Sequence, residues 1–326
     1  MLSGFFRYFS LPVNSEEQNE VSLELYPDLK ELIALKDRKA HLKLTAEHSI
    51  KSTVPGDHHS PFRGQGLEFD SVREYVPGDD VRNIDWRVTA RTGSPHMKLF
   101  REEREREVII CVDMNADMRF GTRNTFKSVQ AARVGAFIGW RSLDEKDRVG
   151  ACLFGDVPDG LQFFDPKRTR QSLWAMMKLL VAPPKEHHQV ILEDVLRHIH
   201  LAARPGTLVY VISDFLEISP GLAEIFARLN KFCDVVCISI NDPADANIVP
   251  VGSLEFQSAT SEKIAVNTES LKGRKTYKEQ WKENRRQLNE IIVRAKVSMI
   301  ELTTEMDIHR ELLLGMRALS KRRRQR

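Results

Sequence analysis

Residues 106–118 read REVIICVDMNADM, and this stretch decides the fold. Val108–Val112 is an unbroken apolar run that stops at Asp113, without the polar alternation of a half-exposed strand. Such a run suits a strand covered on both faces, the usual situation in a parallel sheet. Similar runs follow at Val149–Phe154, Leu161–Phe164, Thr207–Ile212, Val235–Ile240 and Ser298–Leu302. Helical spacing fills the gaps between them. Leu173, Met176, Met177 and Leu180 fall at i, i+3, i+4 and i+7, as do Leu192, Val195, Leu196 and Ile199, and Leu222, Ile225, Phe226 and Leu229. Phe126, Val129, Phe137 and Trp140 share one stripe, Trp281–Ala295 marks a long late helix, and Ile308–Leu319 forms the last. The alternation predicts an α/β domain over 108–326, a doubly wound, mostly parallel sheet with right-handed crossovers. A β-hairpin over Gly252–Val266 interrupts it before the long helix.

Upstream, residues 1–107 behave differently. Leu29–Ala46 can form one helix, and Thr53–Ser60 (TVPGDHHS) reads as a mobile loop. The stretch 64–91, GQGLEFDSVREYVPGDDVRNIDWRVTAR, is too polar to make its own core. It is expected to be an N-terminal polar cap of loops and short strands lying on the α/β domain, held by arginine–carboxylate pairs. Pro77-Gly78 is a ready turn with Gly78 suited to positive φ, and a helix over Val81–Arg91 would put Arg82, Asp85 and Trp86 on one face.

Composition bounds the function. The 326 residues are 41% hydrophobic and 29% charged, a globular balance. The net charge is +3, but five of the last six residues, Lys321 to Arg324 and Arg326, are basic. Without them 44 basic residues face 46 acidic ones, so no global basic face for specific nucleic-acid binding exists. The tail itself could touch RNA or anionic lipid, but a frayed, solubilising end is the more common meaning of such a run. No apolar run nears the ~20 residues of a membrane span, and Met1–Leu11 is too short for a secretory signal, so a cytoplasmic location is expected. Cys111, Cys152, Cys233 and Cys237 have no zinc-type spacing and read as small buried side chains in a reducing compartment.

Ligands of doubly wound sheets collect at the carboxyl ends of strands where the strand order reverses. If the strands ending at Asp113 and before Asp214 are neighbours, Asp113, Asn115, Asp117 and Asp214 converge there. Two unit charges about 4 Å apart repel by roughly 4 kcal/mol at an effective dielectric near 20, so something must neutralise them. An all-oxygen donor set suits Mg²⁺, Mn²⁺ or Ca²⁺. The plainer alternative makes Asp113 a cap, Asp117 a partner of Arg119 or Arg123, and Asp214 a turn residue. No GxxxxGK[ST] or GxGxxG occurs, so any ATP chemistry belongs to a partner, and DxDxT phosphoaspartyl transfer is excluded because Asn115 stands at the second acidic position. His58-His59 and His187-His188 lack a third ligand and read as solvated loop histidines.

The pair of segments at 64–93 and 106–118 resembles the signature of the domain of unknown function 58 (DUF58) family, with the likeness running from about Leu44 to Arg310. The resemblance implies a von Willebrand factor A-like domain over 108–326 and association with a MoxR-type AAA+ ATPase and other von Willebrand factor A-containing proteins. It also implies a metal-ion-dependent adhesion site, in which Asp113 and Asp214 match the two Asp positions. Asn115 and Asp117 stand where serines are expected, and the threonine has no match beyond Gln189 or Thr169. The motif is thus degenerate: an extra carboxylate lowers the positive charge at any metal and weakens capture of a partner's carboxylate. Such a site holds a cation for structure alone or has lost it. The signature residues Glu68, Asp70, Arg73, Glu74, Tyr75, Pro77, Gly78, Asp79, Arg82, Asp85, Trp86 and Arg91 are expected to form a recognition surface or a structural lock.

Two functions follow as expectations. The first is a non-catalytic, chaperone-like adaptor working with the ATPase in maturation, assembly or remodelling of a client complex, recruited to membranes only through another subunit. The second is a metal-dependent hydrolase using one of the carboxylate clusters, Glu68, Asp70, Asp79, Asp80 and Asp85 among them. It lacks a well-placed histidine near either cluster, and arginines crowd the cap, which favours the adaptor.

Overall fold

The computed structural model describes residues 26–37, 67–102, 106–122, 125–184, 186–257 and 263–324. The loop expected at Thr53–Ser60 lies outside the described residues, as do the side chains of Glu68, Asp70 and the basic tail. The chain divides into two compact units, 49–105 and the rest. Among the described residues the first helix, α1 (Leu29–Ala34), starts at Asp28, whose side chain accepts from the Glu31 N–H, and tightens into a 3-10 turn at Leu35–Asp37.

The smaller unit is a hairpin with an inserted helix. Strand β1 (Leu67–Glu74), helix α2 (Trp86–Thr92) and strand β2 (His96–Glu102) follow in order, with β1 and β2 antiparallel and irregular between Phe69 and Ser71. Gly78 has φ 110°, and Asp79 N–H closes the Pro77-Gly78 turn onto Val76 O, as the sequence predicts. Asp79 also takes Arg73 Nη2 at 2.6 Å and the Val76 N–H, and the arginine holds its carboxyl below the usual carboxylate range. The predicted helix over Val81–Arg91 is broken. A 3-10 turn (Val81–Asn83) gives way to extended backbone at Ile84 and Asp85, and the Asp85 carboxylate then caps α2 through the Arg87 and Val88 N–H groups. Asp80 caps the 3-10 turn in the same way. Two short-range caps outcompete one continuous helix, so Arg82, Asp85 and Trp86 do not form a single helical face.

In the larger unit the strands are β3 (Glu107–Met114), β4 (Arg148–Gly155), β5 (Leu161–Lys167), β6 (Leu208–Ser213), β7 (Asp234–Asn241) and, after a separate β8–β9 hairpin (Ser253–Gln257, Lys263–Asn267), β10 (Ser298–Thr303). They form one six-stranded sheet in the order β10-β7-β6-β3-β4-β5. Every pairing is parallel except β4–β5. The helices are α3 (Lys127–Asp144), α4 (Gln171–Leu180), α5 (Leu192–Ala202), α6 (Leu222–Phe232), the short α7 (Pro243–Ala246), α8 (Leu271–Ala295) and α9 (Ile308–Arg324). This is the doubly wound, mostly parallel α/β sheet that the alternation predicts.

Strand alternation sorts the apolar runs between two cores. Val108, Ile110, Val112, Tyr210 and Ile238 face α1, α3, α4 and α9; Ile109, Cys111, Val211 and Cys237 face α5, α6 and α8. The four free cysteines are all buried in the second core. Helix α3 is buried nearly all round, where the sequence shows only one apolar stripe. The reason is extra cover. Leu32 of α1 is fully buried in the same core, its carbonyl accepts the Trp140 indole N–H at 2.9 Å, and Glu31 pairs with Arg133 at 2.6 Å. The helix grouped by sequence with residues 1–107 therefore packs on the α/β unit, where burial of a leucine contributes roughly 2 kcal/mol.

Between α3 and β4, burial pushes the Asp147 carboxyl up to about 6, against the opposing pull of Arg106, whose N–H it accepts at 3.3 Å. Glu145 adds to the rise. Between the ordinary carboxyl pKa of 3.8 and this value the folded state binds the extra proton, so Asp147 costs stability as pH rises through that window. Asp147→Asn keeps the acceptor oxygen. Its stability relative to wild type is expected to improve by about 1–2 kcal/mol between pH 4 and pH 7, after discounting for partial solvent screening, in urea unfolding at both pH values.

Candidate functional site

The strand order turns at β3, whose neighbours are β4 on one side and β6 on the other. A crevice of about 160 Å³ opens at the carboxyl ends of these strands, lined among others by Asp113, Asn115, Asp117, Asp156, Asp214 and Glu217. The structure thus brings together all four residues expected there: Val112 pairs in register with Ile212, which puts Asp113 beside Ser213 and Asp214.

Each of these groups is already engaged. Asp113 accepts from the Asn115 N–H at 2.9 Å and from Ser213 Oγ at 2.6 Å. Burial and the nearby Asp214 charge push its carboxyl up to about 7, while the two hydrogen bonds pull the other way. Asn115 spends both ends of its amide on the backbone of one residue of the loop before α5, donating to Val190 O (3.1 Å) and accepting from Val190 N (3.2 Å). Asp214 accepts from the Leu216 N–H at 3.1 Å and from Lys127 Nζ at 2.6 Å.

Lys127, like Asp156, Asp245 and Arg285, is a residue of this face that sequence reasoning does not single out. It is 1% exposed, at the first position of α3, with its ammonium also 3.6 Å from Asp245 Oδ1. Burial alone would lower its pKa, but Asp214 and Asp245 outweigh that and raise it above the usual lysine range. One sequence signal points to it: a lysine in the first turn of a helix faces the positive end of the dipole and is unfavourable there unless carboxylates receive it. Asp245 comes from the capping box of α7, where Asp242 N–H donates to it at 2.7 Å. Asp242 in turn gathers the Thr122 N–H and hydroxyl and the Thr304 hydroxyl; these bonds overcome its burial and hold its carboxyl below the ordinary value.

A second buried cation stands behind the crevice. Arg285 of α8 donates to the carbonyls of Asp214 (2.7 Å) and Phe215 (3.2 Å) and to Ser239 Oγ (3.1 Å), while Asn284 donates to Leu216 O at 2.8 Å. The two side chains hold the loop after β6 in place, including Phe215 at φ 53°. On the far wall Asp156 accepts from Arg119 Nη2 (2.5 Å) and from the His188 N–H (2.9 Å), and His187 Nδ1 lies 3.1 Å from it. The histidine pair read as solvated is therefore half built into the wall through Asp156, and Arg119 pairs with Asp156 rather than Asp117. Gln189 donates to Glu217 at 2.9 Å on the rim.

The donor set does not fit a divalent cation. Such an ion wants about six oxygens with lone pairs to spare, whereas Asn115 Oδ1 is turned to Val190 and Asp214 Oδ2 to an ammonium. Among the described residues no group of three His, Cys, Asp or Glu side chains could hold a metal ion. Nor is Ser213 set up as a nucleophile, since its hydroxyl proton points at Asp113 rather than an imidazole.

The class of protein is thus an α/β domain with a walled acidic crevice at the turning point of its sheet. The family model described as "Protein of unknown function DUF58" matches residues 71–287, and the chain belongs to that family. It is 31% identical over 226 residues to the uncharacterized proteins Mb1516 of Mycobacterium bovis and Rv1480 of Mycobacterium tuberculosis, covering 68% of this chain and 69% of theirs. Among solved structures it is similar to the conserved hypothetical protein BatB of Bacteroides thetaiotaomicron (16% identity, 66% of this chain and 99% of that one, TM-score 0.42). An aerotolerance-related membrane protein of Bacteroides fragilis is similar too (16% identity, 66% and 97%, TM-score 0.43). Among the described residues no helix is long and apolar enough to cross a membrane.

Proposed function

We propose that this chain is a non-catalytic, chaperone-like adaptor that works beside a MoxR-type AAA+ ATPase, with the crevice around Asp113, Asn115, Asp117 and Asp214 as its partner-binding face. The observation that supports this reading is the crevice's wall. Asn115 clasps Val190, Asp156 holds the 187–188 segment, and Arg285 holds the loop after β6, so a concave polar surface exists before any partner arrives. A preorganised surface of this kind loses little entropy on binding, which is what a docking face needs. The signature segment from Arg73 to Arg91 is proposed as a second contact surface. Its exposed Trp86 (70%) is the kind of aromatic anchor that interfaces use.

The test is an affinity purification of the tagged full chain from native lysate, read by mass spectrometry for an AAA+ ATPase. Wild type is compared with Asp117→Lys/Glu217→Lys, a pair of rim changes. Recovery of the ATPase with wild type and a loss of tenfold or more with the variant is the expected result. Equal recovery removes the crevice from the interface, and no recovery from either sinks the ATPase reading.

A further inference from the structure

The acidic end of this sheet needs a counter-charge, and the structure holds one that no divalent ion has to supply. The Lys127 ammonium is buried at 1% exposure, 2.6 Å from Asp214 Oδ2 and 3.6 Å from Asp245 Oδ1. Those two carboxylates are themselves 5% and 2% exposed, and Arg285 lies behind Asp214 with its guanidinium on that residue's carbonyl. The one ammonium thus reaches both buried carboxylates, the Arg285 guanidinium adds favourable charge from behind, and the remaining oxygens have hydrogen-bond donors: Leu216 N–H on Asp214 and Asp242 N–H on Asp245.

We propose that Lys127 is the resident cation of this face: its ammonium does the work of a bound metal ion, and the crevice is built to function without one. The geometry argues against coexistence. A divalent ion bound by Asp214 and its neighbours would sit within a few ångströms of an ammonium that has no route to solvent, and like charges at such separation repel strongly in a poorly hydrated site. The degenerate motif then has a physical sense. Serine hydroxyls are good neutral ligands for a metal, whereas Asn115 here is used to fasten the Val190 loop and Asp117 adds negative charge toward Lys127. This inference concerns the charge inside the crevice and does not depend on which partner binds there.

Two measurements on the full chain decide it. Calorimetric and thermal-shift titrations of the wild type with Mg²⁺, Mn²⁺ and Ca²⁺, against EDTA, are expected to show no saturable site and no change in melting temperature. A one-to-one site abolished by Asp214→Asn overturns the proposal; at a hundredfold its dissociation constant such a metal would raise the melting temperature by about 4 °C. Lys127→Ser vacates the ammonium and leaves hydroxyl and carboxylate oxygens behind. It is expected to be unstable in EDTA and to regain melting temperature as Mn²⁺ or Mg²⁺ is added. A Lys127→Ser protein as stable as wild type in EDTA shows that the ammonium neutralises nothing and overturns the proposal. If that variant does not fold in any buffer, the wild-type titration decides alone.

Discussion

Lys127→Met is expected to lower the unfolding free energy by about 3–5 kcal/mol, among the largest losses a single substitution in this chain can cause. Methionine matches the stem in length and can fill the same channel beside Phe120, whose ring lies 5.3 Å from the ammonium. Lost packing is therefore small. The loss comes from charge: Asp214 and Asp245 stay buried without their ammonium, and Arg285 acts on them from behind without a direct contact to either carboxylate. Removing one partner of a buried ion pair usually costs this much because the other charge is stranded, even where the intact pair contributes little net stability. The double variant Lys127→Met/Asp214→Asn separates the two readings of such a loss. If stranded charge is the cause, the double variant recovers part of the stability, and the singles sum to more than the double. Denaturant unfolding at neutral pH measures all three. A Lys127→Met loss below about 1 kcal/mol, or strict additivity in the cycle, would remove the ion pair from the account of this face.

The contrast between Lys127 and Asp113 shows what a sequence can carry. Asp113 and Asp214 are legible because each directly follows or closes an apolar run, and a parallel sheet sends such positions to one edge. The repulsion among them is legible too, since it follows from charge and proximity alone. What answers the repulsion is not. Lys127 lies at the start of a helix whose visible pattern is its apolar stripe, and Asp245 sits in a four-residue helix after β7. Their meeting depends on the crossing of α3 under β6 and β7, which no local pattern encodes. Converging strand-end carboxylates by themselves call for a bound hard cation; an internal ammonium is visible only in the tertiary structure. The smaller unit repeats the lesson at short range. The Pro77-Gly78 turn follows from residue chemistry, but the break between Asn83 and Trp86 depends on Asp80 and Asp85 each turning a carboxylate oxygen onto nearby backbone N–H groups. Spacing alone made a continuous helix equally reasonable there.

Gly155→Ala is expected to cost about 3 kcal/mol and to open the crevice wall as well as weaken the fold. Gly155 closes β4 opposite Met114 at φ 101°, a region that L side chains rarely enter. A Cβ there would lie 2.4 Å from Asn115 N and 2.7 Å from Met114 C, so backbone, not a pliable side chain, must move. Left-handed strain of this kind costs about 1–3 kcal/mol and overpacking about as much again, with some relief as the strand end shifts. The direction of that relief matters for function. Pushing Asn115 away stretches its N–H from Asp113 and its amide from Val190, and the latter pair is what holds the loop before α5 against the crevice. Gly252→Ala supplies the control, because Gly252 has φ 90° but nothing within 4 Å of an added Cβ. It is expected to lose about 1 kcal/mol and to keep partner binding intact. Unfolding in urea gives the two stabilities, and hydrogen exchange at residues 187–190 reads the loop directly. Faster exchange there in Gly155→Ala alone, under conditions where both proteins are folded, ties the wall to the Asn115 clasp. Unchanged exchange would mean that the loop is held by the Asp156 side of the wall instead.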